Sequence, residues 1–325
     1  MIDLRQFVRP GDGVWWGQAA AEATPLVDAL LDQIDDLGQA FCGLSWNPRL
    51  GREFPLVSYG AMGTLRRASN LDIVPAHYSA LPRLFAEGLL PCDVGLVQVS
   101  PPGADGRCTL GIGVDYVADA LHHTKTLIAE VNQRMPATVG TTPIPMDRFA
   151  AVIQTDRPLP AAPVRPPDEV DRTIAATVAG LVEDGDTVQI GVGALPSAIL
   201  DGLASHRDLG FHSGILTDGV VRLVEKGVIT GVRKEIDRGT VVAGLAMGSA
   251  DLYHRLDELP VEFRAASYTH APHVLAQLRR LVSVNAALEV DLTGQAGAEV
   301  VDGRYVGGVG GQSDFSGAAA RTGAR

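Results

Sequence analysis

Gly11-Asp12-Gly13-Val14-Trp15-Trp16-Gly17 opens the chain, and Gly185-Asp186-Thr187-Val188-Gln189-Ile190-Gly191 repeats its pattern, GDxVxxG, in the second half. In each copy a Gly-Asp turn feeds a short apolar run that ends at glycine, the signature of a buried strand between turns. An Ala/Leu-rich stretch follows each, with Leu26, Val27, Leu30 and Leu31 in the first half and Ile199, Leu200 and Leu203 in the second. Those spacings are helical. Two strand-turn-helix openings a domain's length apart read as one α/β module used twice.

Between the two openings lies PLPAAPVRPPD, residues 158–168, with five prolines in eleven positions. Proline removes a backbone donor and fixes φ, so this stretch reads as a semi-rigid connector. The expected organisation is therefore an amino-terminal α/β domain over 1–157, a Pro-rich linker over 158–168, and a carboxyl-terminal α/β domain over 169–325. Short apolar runs at 94–99, 126–131, 150–153 and 240–245 alternate with helical patterns, as in mainly parallel sheets flanked by helices.

The 325 residues are 46% hydrophobic, 20% charged and 5% aromatic, enough apolar material for one large or two medium cores. Lys and Arg number 27 against 38 Asp and Glu, and this acidic balance argues against a nucleic-acid partner. No apolar run reaches membrane-spanning length, and the opening MIDLRQFVRPGDG lacks the parts of a signal peptide. A cytoplasmic protein without a membrane partner is expected. Cys42, Cys92 and Cys108 are too scattered for a disulfide framework or a zinc knuckle, and His270 and His273 lack further ligands nearby, so no metal site is expected.

Chemistry is expected where strands end in glycine or polar turns. Gly191-Val192-Gly193-Ala194-Leu195-Pro196 follows a strand and precedes a helix over 197–205, so its free N–H groups suit a phosphate, a carboxylate or a thioester oxygen. A nicotinamide fingerprint wants a third glycine where Pro196 stands. His212, Ser213 and Asp218 cluster at another turn, but Ser213 lies outside a GxSxG elbow, which argues against a serine hydrolase. The segment 283–295 reads as one apolar strand carrying Glu289 and Asp291 on one face, a costly placement unless the acids are paired or functional. Gly307-Gly308-Val309-Gly310-Gly311 would let backbone approach a ligand closely.

Taken together and in order, GVGALPSAIL (191–200), LGFHSGILTDGVVRLVEKGVITG (209–231), SYTHAPHVLAQ (267–277), SVNAALEVDLTGQ (283–295) and GGVGGQSDF (307–315) resemble the acetyl-CoA hydrolase/transferase family. LLPCDVGLVQVSPPGADGRCTLGIGVDY (89–116) and TKTLIAEVNQRMPAT (124–138) extend the resemblance through the first half. It implies two related CoA-transferase-type α/β domains and an acyl-CoA bound between them. It also implies a small carboxylic acid as the second substrate, no tightly bound cofactor, and association into a homo-oligomer. Gly191, Gly193, Gly308, Gly310 and Gly311 would line the coenzyme A and thioester site.

In the family's transferases a glutamate attacks the thioester and is carried through acyl-glutamyl and glutamyl-CoA intermediates. By resemblance that glutamate belongs where this chain has Gly214, which leaves the catalytic group unassigned. His212 and Glu289 are the nearest candidates, with Glu225 and Asp291 as further carboxylates. A water activated by His212 or an acidic neighbour would hydrolyse the thioester without a glutamyl intermediate. The alternative is a catalytically silent CoA-binding protein or subunit of the same fold. The family also continues past the glycine loop, so the second domain is expected to be short of its last strands.

Overall fold

The computed structural model describes residues 2–51, 55–163 and 165–322. The first half is built on a seven-stranded sheet whose spatial order from one edge is Leu71–Ile73, Leu56–Ser58, Gln39–Phe41, Gly13–Trp16, Val94–Val99, Thr126–Asn132 and Ala151–Thr155. Every pairing in it is parallel, and the GDxVxxG strand Gly13–Trp16 lies at its centre. Val94–Val99 is buried at all six positions, as a strand covered on both faces must be. Phe41 meets Phe85 and Tyr116 edge-on at 5.2 and 5.3 Å, and all three are buried.

In the second half the other GDxVxxG strand, Thr187–Ile190, is again central, flanked in parallel by Gly210–Phe211 and Leu281–Val284. Val241–Ala243 pairs with Val261–Phe263, and Ile215–Leu216 with Leu245–Ala246, also in parallel. A bridge between His212 and Val242 joins these pairs to the central strands. Helix Glu169–Ala179 starts on a reciprocal capping box between Asp168 and Asp171 and packs on helix Ala194–Gly202. The latter begins three residues earlier than the sequence suggests, because Gly193 at φ +128° ends the turn and Pro196 fits within the first helical turn.

The start of the proline-rich stretch, 159–162, packs on the second half. Leu159 is buried, the Ala162 N–H donates to the Gly248 carbonyl at 2.8 Å, and the Tyr253 hydroxyl donates to Pro160. A continuous apolar cluster runs from Trp15 and Phe41 through Leu159 to Val188, Leu216 and Phe263, so the two halves share a core. Among the described residues no helix is long and apolar enough to cross a membrane.

One expected strand is not formed as read. The apolar strand stops at Val284, and Glu289–Val290 instead pairs antiparallel with Ala296–Gly297 in an exposed ribbon. Asp291 caps the tip of this ribbon, accepting from the N–H groups of Thr293 and Gln295. The two acids face solvent, so no burial cost needs compensation there.

Candidate functional site

Two neighbouring parallel strands break at the same level. Gly210–Phe211 resumes as Ile215–Leu216, and Val241–Ala243 resumes as Leu245–Ala246. At the break the Gly214 carbonyl accepts from both the Gly244 and Leu245 N–H groups, at 3.1 and 3.0 Å. The Ser213 hydroxyl donates to the Ile190 carbonyl at the end of the central strand. The Gly214 and Gly191 turns are thereby held side by side at the carboxyl ends of the sheet, where ligands of such sheets bind.

The loop 307–311 closes over this point and is stitched to the first half. The Ala61 N–H donates to the Gly307 carbonyl at 2.8 Å, the Tyr78 N–H to the Gly310 carbonyl at 2.9 Å, and Gly308 bridges to Gly60. The result is a cavity of about 220 Å³ between the halves. Gly191, Gly214, Gly310 and Gly311 line it from the second half, and Gln18, Tyr59, Tyr78 and Asp115 from the first.

Two buried histidines differ in their relation to this space. His270 lines it, with its ring tilted against Tyr78 at 4.6 Å and edge-on to Phe315 at 4.9 Å between ring centres. Its Nδ1 is 2.8 Å from the Thr269 hydroxyl oxygen. Burial pushes the imidazole down to about 3, so it is neutral at ordinary pH. His212 is fully buried beneath the cavity, with Nε2 3.0 Å from the Thr269 carbonyl and Nδ1 without a partner. Burial, reinforced by Lys234, pushes His212 down to about 4.

The first half supplies an acid that sequence reasoning passed over. Asp115 is buried on the cavity wall, with Oδ2 accepting from Gln18 Nε2 at 2.6 Å and Oδ1 from the Val117 N–H at 3.2 Å. Gln18 is itself fixed, its Nε2 donating also to the Tyr78 hydroxyl and its Oε1 accepting from the Tyr59 hydroxyl. Burial pushes the Asp115 carboxyl up to about 6, against the lowering effect of the Gln18, Val117 and Tyr78 hydrogen bonds. Its signal in the sequence was a lone acid in the apolar run GIGVDY; which distant glycine turn it would face was not readable there.

The other candidates lie elsewhere. Glu289 is exposed on the ribbon, and Glu225 ends its helix in an ion pair with Arg255. Gly193 lines a second space of about 540 Å³ that shares Leu44, Gly191, Val192 and Met247 with the first. Together they form a trench leading from the cavity past the amino end of helix Ala194–Gly202 to Arg66 and Arg222. Free N–H groups and guanidinium groups along one trench suit an anionic ligand with a neutral end in the cavity.

Comparison with known proteins gives consistent results. The sequence profile of the acetyl-CoA hydrolase/transferase N-terminal domain matches residues 57–163, and that of the C-terminal domain matches 248–325. The 4-hydroxybutyrate coenzyme A transferase of Clostridium kluyveri is 38% identical over 75% of this chain and 57% of that protein. The crystal structure of 4-hydroxybutyrate CoA-transferase from Porphyromonas gingivalis is 31% identical, with TM-score 0.82 over 98% of this chain and 76% of that one. RipA from Yersinia pestis is also 31% identical, with TM-score 0.88 over 97% of this chain and 76% of that one. The chain spans just over half the length of the curated relatives it matches.

Proposed function

Because the chain belongs to the acetyl-CoA hydrolase/transferase family, we propose that it acts on acyl-CoA thioesters, either hydrolysing them or passing coenzyme A to a small carboxylic acid. The observation that carries this reading is the trench itself. Its cavity is walled by glycine turns whose N–H groups suit the oxyanion of thioester addition. Its outer part, with Gly193, Arg66 and Arg222, suits the phosphates of coenzyme A. On this reading the thioester is a substrate and no tightly bound cofactor is required. Gly191, Gly193, Gly310 and Gly311 lie along the ligand, while Gly308 acts through the loop it pins to Gly60.

We further infer that position 214 is where catalytic relatives carry their glutamate, so that covalent transfer through this position is closed to this chain. This inference favours hydrolysis, and it equally supports a second reading, a silent CoA-binding subunit. A homo-oligomer in the cytoplasm belongs to the same proposal, and sedimentation measures its assembly. The test incubates the purified protein with a panel of acyl-CoAs, with and without acetate, and follows free coenzyme A and new acyl-CoA. Coenzyme A release without acetate supports hydrolysis, and acetate-dependent exchange supports transfer. Binding without turnover supports the silent subunit, and neither binding nor turnover overturns the proposal.

A further inference from the structure

Among the described residues lining the cavity, Asp115 carries the one carboxylate. It faces the glycine turns of the other half, and backbone hydrogen bonds fix it there. The Val114 and Asp115 N–H groups both donate to the Gly244 carbonyl, at 3.0 and 2.9 Å, and the Gly244 N–H donates to the Gly214 carbonyl. The Asp115 main chain is thus two hydrogen bonds from position 214. A Cβ on Gly244 would stand 3.3 Å from the Asp115 Cβ, so glycine there allows the close approach.

The side chain is as well held as the backbone. Gln18 and Val117 each donate to it, Tyr78 is hydrogen-bonded to it, and Tyr59 fixes the Gln18 amide. The Tyr116 N–H is a fourth donor, so a water from the adjoining cavity that Asp115 lines would take the place of one donor on the carboxylate's about four lone-pair sites. We propose that Asp115 is the general base of thioester hydrolysis in this cavity, acting on a water in place of an enzyme-borne nucleophile at position 214. The proposal rests on the acyl-CoA reading above.

The step balances with water as the co-substrate. Asp115 takes a proton from the water as its oxygen bonds to the acyl carbon. The tetrahedral oxyanion is met by N–H groups of the glycine turns. Its collapse breaks the C–S bond, and the proton held by Asp115 passes to the departing thiolate. The products are a carboxylic acid and coenzyme A, with the protein unchanged.

Burial pushes the Asp115 carboxyl to about 6, so at neutral pH it is ionised and still basic enough to accept a proton in the transition state. The titratable groups around it are the phenols of Tyr59, Tyr78 and Tyr116, all raised by burial, and His270 behind Tyr78, lowered to about 3. Asp119, one turn along the same helix, is raised by burial and held by the Ser267 N–H.

The test compares wild type with D115N and D115E by acyl-CoA hydrolysis across pH and by equilibrium binding of coenzyme A. The expected D115N result is a loss of about 100-fold or more in kcat, with coenzyme A affinity within about threefold of wild type by that same choice of an uncharged isostere. D115E should recover part of the rate, with its acid limb displaced from the wild-type position near 6. If D115N does not fold, D115E carries the test: a displaced limb supports the base, and an unchanged profile overturns it. A wild-type enzyme that hydrolyses acyl-CoA while folded D115N keeps its rate and limb overturns the proposal alone. A wild type that turns over no acyl-CoA overturns the underlying reading and the proposal with it.

Discussion

The His270 imidazole stands against Gly214 so closely that a Cβ placed on the glycine would lie 3.0 Å from Cε1 and 3.1 Å from Nε2. Across the same ring, a Cβ on Gly311 would lie 2.5 Å from Nε2. The ring therefore fits only because both flanking positions lack side chains. Gly214 itself is not in the left-handed region, so it is the neighbouring imidazole and not the backbone that resists a larger residue.

Gly214→Glu alone is expected to destabilise the fold by about 1–3 kcal/mol through overpacking against this ring. Combining it with His270→Ala should return part of that loss, because the ring is the obstacle. Denaturant titration of the two single variants and the double variant measures the coupling. Strict additivity would contradict the contact.

The Thr269 hydroxyl donates to the Ala265 carbonyl at 3.2 Å, so its oxygen is left to accept from His270 Nδ1. His270 is accordingly expected as the neutral Nδ1–H tautomer, with the bare Nε2 toward Gly311. Nitrogen chemical shifts of labelled histidine read this directly. An Nε2–H signal for His270 would reverse the assignment.

Glu130 is fully buried and takes two hydrogen bonds from Arg157, at 2.6 and 2.9 Å, while Arg157 also donates to the Glu22 carbonyl at 2.7 Å. Arg157→Ala leaves that carboxylate buried without its cation and is expected to cost about 3–5 kcal/mol. A double variant with Glu130→Gln as well should be less damaged than Arg157→Ala alone. Urea unfolding of both tests the order.

Glu22 is buried, accepts hydrogen bonds from the Ser45 and Thr24 hydroxyls, and is pushed up to about 7 by burial. A carboxyl raised on folding holds its proton better in the native state. Its contribution to stability is full below its ordinary value of 4.5 and is lost as pH rises through about 7. His212 and His270 act oppositely: lowered from 6.5, they favour the fold above 6.5 and cease to as pH falls through 4 and 3. Glu22→Gln isolates the first effect. Its stability relative to wild type should rise between pH 4.5 and 7 by at most about 1.4 kcal/mol per pH unit, and a flat difference would contradict a raised Glu22.

Much of the scaffold was legible because it rests on local pattern. GDxVxxG marked the central strand of each sheet, and the runs at 94–99 and 126–131 lie in strands Val94–Val99 and Thr126–Asn132. The turn at 191 was also readable, since it follows a strand and precedes a helix, whereas the loop at 307–311 stood out by its glycines alone and the helix after it was not read. What was not legible depends on the meeting of the two halves. Asp115 and Gln18 belong to the first half and gain their meaning only from the glycines they face, which no local period encodes. The ribbon at 289–297 was misread because alternating Leu288, Val290 and Leu292 mimic a half-buried strand, whereas in the fold these side chains are exposed.

The central proposal is that thioester chemistry here proceeds by attack of water on the substrate, with no acyl or coenzyme A group carried by the protein. The most direct measurement is single-turnover reaction of acetyl-CoA in ¹⁸O-labelled water, with the masses of the acid and of the intact protein recorded together. The account predicts label in the released acetate, unmodified protein at every time point, and no label in Asp115. A covalent acetyl or coenzyme A adduct, or label appearing in a protein carboxylate, would contradict it.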